Sequence, residues 1–262
     1  MIYRVLSLLF LTGIPYGNWS HGLPHHAKRP TQSCRLFIAS MRYHLACYPT
    51  RSGYTAGMTQ SRTHILIAAS IVLLAILAAS GIRPYDRPTW LLEVLPVIIA
   101  LPVLWFSYRR FPLTTLLYVC IFAHALVLIA GGTYTYARVP LGFELAQMLG
   151  LERNPYDKIG HLFQGFVPAL VAREILLRGH FVRAGKMLVF IILSIVLAVS
   201  ASYELIEWLV ALLFGGGSVD FLGTQGDPWD AQSDMLYALI GGVLALALFS
   251  RQHDRHIRRL QS

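Results

Sequence analysis

Six runs of apolar residues, roughly 63–80, 91–108, 112–131, 158–178, 187–214 and 231–250, leave this chain of 262 residues few ways to fold. A helix needs about 20 apolar residues to cross the hydrocarbon core of a bilayer. In lipid every backbone polar group must be satisfied inside its own segment, so such runs become helices rather than open strands. Short connectors separate them, among them "GIRPYDRP", "RRFP", "RGHFVRAGK" and the Gly-rich "GGGSVDFLGTQGD". The stretch 140–153, "PLGFELAQMLGLER", is amphipathic and suits the membrane surface. The expected fold class is therefore all-α: a polytopic membrane helix bundle of six transmembrane helices with one interfacial helix, forming one domain over 58–262. Only 13% of the residues are charged, against roughly 25% in soluble domains.

The net charge of +9 is unevenly spread. Residues 1–57 hold six Lys/Arg and no acidic residue, whereas the rest holds sixteen basic against thirteen acidic. An excess of that kind fits membrane orientation and requires no nucleic-acid partner. Residues 1–57 lack a span-length apolar run; Val5–Gly13 has only the length of a signal-peptide core, with no clean cleavage site after it. Two readings of this segment stand: an over-long N-terminus translated from upstream sequence, with Met58 as the start, or a disordered basic tail. Cys34 and Cys47 fall in it, which leaves Cys120 alone in the body and implies neither a disulfide framework nor a thiolate metal site. Across six alternating spans eleven basic residues fall on one face and five on the other. The positive-inside rule then puts the Met58 end and the C-terminus in the cytoplasm. Spans four and six both enter from outside.

Two short stretches share a pattern: "NPYDKIGH" at 154–161 and "DPWDAQSD" at 227–234. Each opens an apolar run. N-capping explains the first four letters, with Asn154 and Asp227 as caps, Pro155 and Pro228 at the first helical position, and Asp157 and Asp230 near the positive end of the dipole. Tyr156 and Trp229 suit the headgroup level. Capping does not explain His161 and Asp234, a full turn inside. Ionisable groups within a membrane are costly, and they face a bundle interior, pair, or mark a function. Span five adds Glu204 and Glu207 on one face. Counted from Arg178, Lys186 and Arg251, the residues His161, Glu204 and Asp234 all lie about 26 Å deep, and Asp157, Glu207 and Asp230 about 32 Å. Matching depths point to one pocket just beneath the outer surface.

Several readings of that pocket stay open. His161 with Asp157, Glu204 and Asp234 supplies a general base or acid and its orienting carboxylates. Glu207, Asp230, Lys158 and Gln164 are candidates for substrate binding. His161, Glu204 and Asp234 are the residues that would hold a divalent cation, if one is bound. The bland reading is a hydrogen-bond network that ties helices together, and a third is an ion path. Elsewhere, "HDRH" and "RRLQS" read as a solvated tail, Gly215–Gly217 as a flexible loop or an anion nest, Arg173 and Glu174 as headgroup contacts or snorkelling groups, Gly241 and Gly242 as close packing, and His124 as a satisfied core residue. The sequence contains no nucleotide-binding Gly-loop, HExxH or GxSxG.

The blocks "YDKIGHLFQGFVPALVARE", "SASYELIEW" and "FLGTQGDPWDAQSDM" resemble the YjdF family of bacterial inner-membrane proteins. The likeness covers about 205 residues from Met58 onward. It implies a helical inner-membrane fold and supports Met58 as the start. A more distant likeness is to the VanZ-like proteins, associated with glycopeptide resistance. Their DK-x-x-H block is matched by Asp157, Lys158 and His161. Their Glu-x-x-Gln block is matched by Glu204, with Glu207 replacing the Gln. Their final Asp and Gly are matched by Asp234 and Gly241, with Ala238 in place of an Asn. This likeness implies a cell-envelope role. The functional expectation is an envelope protein that acts on or binds a lipid-linked substrate at the outer leaflet, with the bilayer as its standing partner. The alternative is a transporter or a structural membrane component.

Overall fold

The computed structural model describes residues 56–214 and 225–261. The readings of residues 1–55 and of Gly215–Gly217 lie outside the described residues. Among the described residues there are seven α-helices and no strand: α1 (Ala56–Ser80), α2 (Arg87–Tyr108), α3 (Thr115–Tyr134), α4 (Pro140–Leu149), α5 (Tyr156–Arg178), α6 (Lys186–Phe214) and α7 (Asp230–Gln261). Five of them, α1, α2, α3, α6 and α7, are long and apolar enough to cross a membrane. The chain is thus a multi-pass, all-helical membrane protein.

α5 differs from the other long helices. It has 23 residues, as many as a span needs, but it carries Asp157, Lys158, Arg173, Glu174 and Arg178. A helix of that composition is costly in lipid. The fold resolves the conflict by surrounding it: α5 packs against α7 most extensively, and against α6 and α3. Leu117 of α3, Ala169 and Leu170 of α5, Ile192 and Val196 of α6, and Ala238 and Ala245 of α7 form the dry core between them. A smaller core of Leu73, Val94, Val97, Ala125 and Ile129 joins α1, α2 and α3.

Glycines bring α5 and α7 together. A Cβ at Gly165 would run into the carbonyl oxygen of Ala238, and one at Gly241 into that of Leu162. Backbone against backbone is the closest approach two helices can make, and small residues permit it. Gly131 and Gly160 play a related part, since the Tyr136 ring fills the space that their side chains would take. Tyr136 sits in a 3-10 turn, Tyr136–Arg138, that links α3 to the short α4. α4 stops at Gly150, whose φ of 65° is the left-handed C-terminal conformation; it is shorter than the 140–153 stretch suggested. Its exposed Leu141, Phe143, Met148 and Leu149 suit an interfacial helix.

The far end of the bundle corrects two expectations. α7 continues as helix to Gln261 rather than ending near residue 250. Its 32 residues extend about 48 Å, well beyond the hydrocarbon core of about 30 Å. His253 in this extension is fully buried instead of solvated. Glu174, also fully buried, accepts from His253 Nε2 at 2.8 Å, from Thr114 N and Oγ1 at 2.9 and 2.7 Å, and from Arg178 Nη1 at 2.6 Å. Arg173 donates to Asp254 at 2.7 Å. Arg173 and Glu174 therefore do not reach for headgroups; they hold α3, α5 and α7 together. A buried carboxylate demands such pairing.

Candidate functional site

The two repeated stretches form the same local structure. Asn154 Oδ1 accepts from Tyr156 N at 3.0 Å, and Asp227 Oδ1 accepts from Trp229 N at 3.0 Å. Both are Asx turns that open a helix. The register differs from expectation: the helices begin at Tyr156 and Asp230, so Pro155 occupies the cap position, Asp157 is the second residue of α5 and Asp230 the first of α7. Asn154 does more than cap. Its Nδ2 donates to Val139 O at 3.0 Å, and its backbone exchanges two hydrogen bonds with the Gln225 side chain, at 3.2 and 3.0 Å. Arg153 pairs with Asp227 at 3.1 Å. The Trp229 backbone N–H, and then Arg153, holds the Asp227 carboxyl below its ordinary value. The two turns are thus pinned side by side. Tyr156 is buried beside Tyr136, with ring centroids 5.8 Å apart, and only Trp229 is exposed as a headgroup-level aromatic would be.

Side-by-side turns place the first helical turns of α5 and α7 in contact. Lys158 Nζ donates to Asp230 Oδ1 at 2.9 Å and to Asp234 Oδ1 at 2.7 Å, with Asp157 Oδ2 3.9 Å away. Lys158, read above as a substrate ligand, is thus engaged as an ion-pair bridge between helices. One turn deeper lies His161, 6% exposed. Its Nε2 stands 3.6 Å from Asp157 Oδ1 and 3.7 Å from Asp234 Oδ2. Its Nδ1 is 2.9 Å from Gln164 Oε1 and 3.9 Å from Glu204 Oε1. Three helices therefore bring His161, Asp157, Asp234 and Glu204 around one imidazole. Asp157, His161 and Asp234 can present one ligand atom each within 4.8 Å of one another. Glu204, expected in that set, lies on the other side of the ring.

His161 forms part of the wall of a cavity of about 170 Å³, which Asp157, Gln164 and Glu207 also line. Glu93, Tyr203 and Tyr136 complete its polar boundary. Tyr203 donates to Glu93 Oε2 at 3.3 Å, and its ring meets His161 edge-on at 6.4 Å. Neither Glu93 nor Tyr203 stands out in the sequence reading, although Glu93 is an acidic group within a span and could have been flagged on that ground. His124 also lines the cavity, and among the described residues its buried Nε2 has no hydrogen-bond partner, so it is not the satisfied core residue expected. Asp230 stays with Lys158 at the rim. Six carboxyl side chains (Glu93, Asp157, Glu204, Glu207, Asp230, Asp234) thus gather around Lys158, His161 and the cavity that His124 also lines.

Residues 65–255 match the family model described as a predicted membrane protein, DUF2238. The chain is 56% identical over 195 residues to inner membrane protein YjdF of Escherichia coli strain K12, covering 74% of this chain and 93% of that protein. No solved structure matches. These matches do not extend to the VanZ-like proteins.

Proposed function

The chain belongs to the DUF2238 family of predicted membrane proteins, and on that premise we propose that it is an inner-membrane protein whose His161 pocket binds, and acts on, a lipid-linked envelope substrate at the outer leaflet. One observation carries the reading: a buried imidazole is held among three carboxylates on the wall of a cavity. In this reading His161 moves the proton, while Asp157, Asp234 and Glu204 orient the ring and balance its charge. Gln164 and Glu207 face the bound group. Lys158 and Asp230 hold the α5–α7 rim in place. α6 supplies a lipid-facing side beside the site, with exposed Leu205, Ile206, Trp208 and Leu209. A deletion strain should accumulate a lipid-linked species or lack a modified one, and the wild-type chain should restore the profile. Unchanged lipids and cell-wall precursors in that strain would remove the substrate class.

A through-path has less support. The second polar cluster, at Glu174, lies thirteen residues from His161 along α5, about 20 Å. Between them the Gly165–Ala238 backbone contact and the Phe166–Phe249 edge-to-face pair fill the α5–α7 interface with apolar groups. Orientation is part of the proposal, with both termini cytoplasmic and the pocket near the outer surface. Alkaline phosphatase fused after Ser262 should be inactive and GFP at the same place fluorescent; the reverse result would put the pocket on the cytoplasmic side.

A further inference from the structure

Resting on that reading of the pocket as a binding site, but with His161 as a ligand in place of the proton carrier, we propose that Asp157, His161 and Asp234 form a binding site for one divalent transition cation, with zinc the best fit. The first argument is the geometry at His161 Nε2. Gln164 Oε1 lies 2.9 Å from Nδ1; when Nδ1 is the donor to it and the ring is neutral, Nε2 is free to act as a ligand. Nε2 faces two carboxylate oxygens at 3.6 and 3.7 Å. These separations exceed hydrogen-bond length. Two carboxylates facing one ring nitrogen call for positive charge at Nε2, supplied either by a proton or by a metal ion that displaces it. Zinc binds nitrogen and oxygen at about 2.0–2.2 Å, which places tetrahedral donors about 3.4 Å apart. The two edges at Nε2 are close to that value, and the two carboxylate donors lie within 4.8 Å of each other.

The second argument is independent of the cluster's own geometry. Glu207 is 8% exposed and lines the same cavity, yet no hydrogen bond or ion pair reaches it from the described residues. A carboxyl on the cavity wall at this depth, with no partner among the described residues, is costly, and a cation in the cavity, or a water held by one, would satisfy it. The donor set also fits. One imidazole with two carboxylates selects a borderline metal over calcium or magnesium. Gln164 behind Nδ1 is the outer partner that fixes a metal-ligating ring. Lys158 holds Oδ1 of Asp234 and leaves Oδ2 turned to His161. Two aspartates and a neutral His leave the loaded site uncharged, which suits its depth in the bundle. Three protein ligands leave a fourth position unfilled, as in catalytic rather than structural zinc sites, and two of the three, Asp157 and His161, line the cavity.

The test uses the full chain in nanodiscs, purified through a tag without histidines, stripped by a chelator and titrated with zinc. Wild type should take up one zinc per chain, and X-ray absorption should show a nitrogen/oxygen shell at about 2.0–2.1 Å. His161→Ala and Asp157→Ala should bind at least tenfold more weakly while eluting as wild type does. Gln164→Ala leaves the ligands in place, and its affinity should fall about 10- to 100-fold. Uptake by wild type no greater than by His161→Ala overturns the proposal. If His161→Ala does not fold, Gln164→Ala decides, and an unchanged affinity in that variant overturns it. The outcome is separable from the function of the pocket. Stoichiometric zinc supports the site whatever the lipid profile shows, and its absence removes the site even if the deletion strain is altered.

Discussion

Lys158→Ala is expected to destabilise the folded protein by about 3–5 kcal/mol, the usual cost of removing one partner from a buried ion-pair network. The ammonium group lies between Asp230 and Asp234, which are 7% and 1% exposed, and Asp157 is 3.9 Å away. Without it three carboxylates face one another in a setting that water screens poorly. The loss would come from the charges left behind rather than from the contact itself. Lys158→Met combined with Asp230→Asn and Asp234→Asn should therefore recover most of the stability, although it would alter the site. Thermal melts read by fluorescence-detected size exclusion distinguish the cases. A single variant that melts with the wild type would show that Lys158 does not join α5 to α7.

Adjacent glycines in α7 should respond in opposite ways. A side chain at Gly241 meets the Leu162 carbonyl and the Phe166 amide, which belong to the backbone of α5 and cannot step aside. Gly241→Ala, and likewise Gly165→Ala against the Ala238 carbonyl, should force the helices apart. Overpacking of a tight core costs about 1–3 kcal/mol. Gly241→Val and Gly165→Val should exceed that range and leave little protein in the membrane. At Gly242 the neighbours are the tips of Leu193 and Val196 at 3.3 Å, and these can shift by a few tenths of an ångström. Gly242→Ala should stay within about 1 kcal/mol of wild type, below the cost of overpacking. Equal effects at 241 and 242 would mean that the α5–α7 contact is looser than described.

The fold was legible wherever hydropathy alone decides it. α1, α2, α3 and α6 are read directly from apolar runs, since lipid leaves the backbone no other option. The site was legible for a related reason. A helix rises by a fixed amount per residue, so counting from basic anchors ranks His161, Glu204 and Asp234 at one depth before their rotation is known. Rotation is what the sequence lacks. Glu93 and Tyr203 meet across the cavity only because α2 and α6 turn those faces inward. His253 illustrates the opposite failure. Amid His, Asp and Arg it looks solvated, yet one face of the α7 extension carries Ile257 and His253 against the bundle. The asymmetry between Gly241 and Gly242 was likewise invisible, because it depends on which neighbour each one meets.

The account's central claim is that the pocket around His161 works rather than merely binds helices together. The most direct measurement compares His161→Ala and Asp234→Asn with wild type in a complemented deletion strain, reading membrane abundance and the lipid and precursor profile in the same cells. The predicted result is normal abundance with no restoration of the profile. Loss of both variants from the membrane, with full abundance and full restoration by a variant in which His161, Glu204 and Asp234 are replaced by fitted apolar residues, would contradict it.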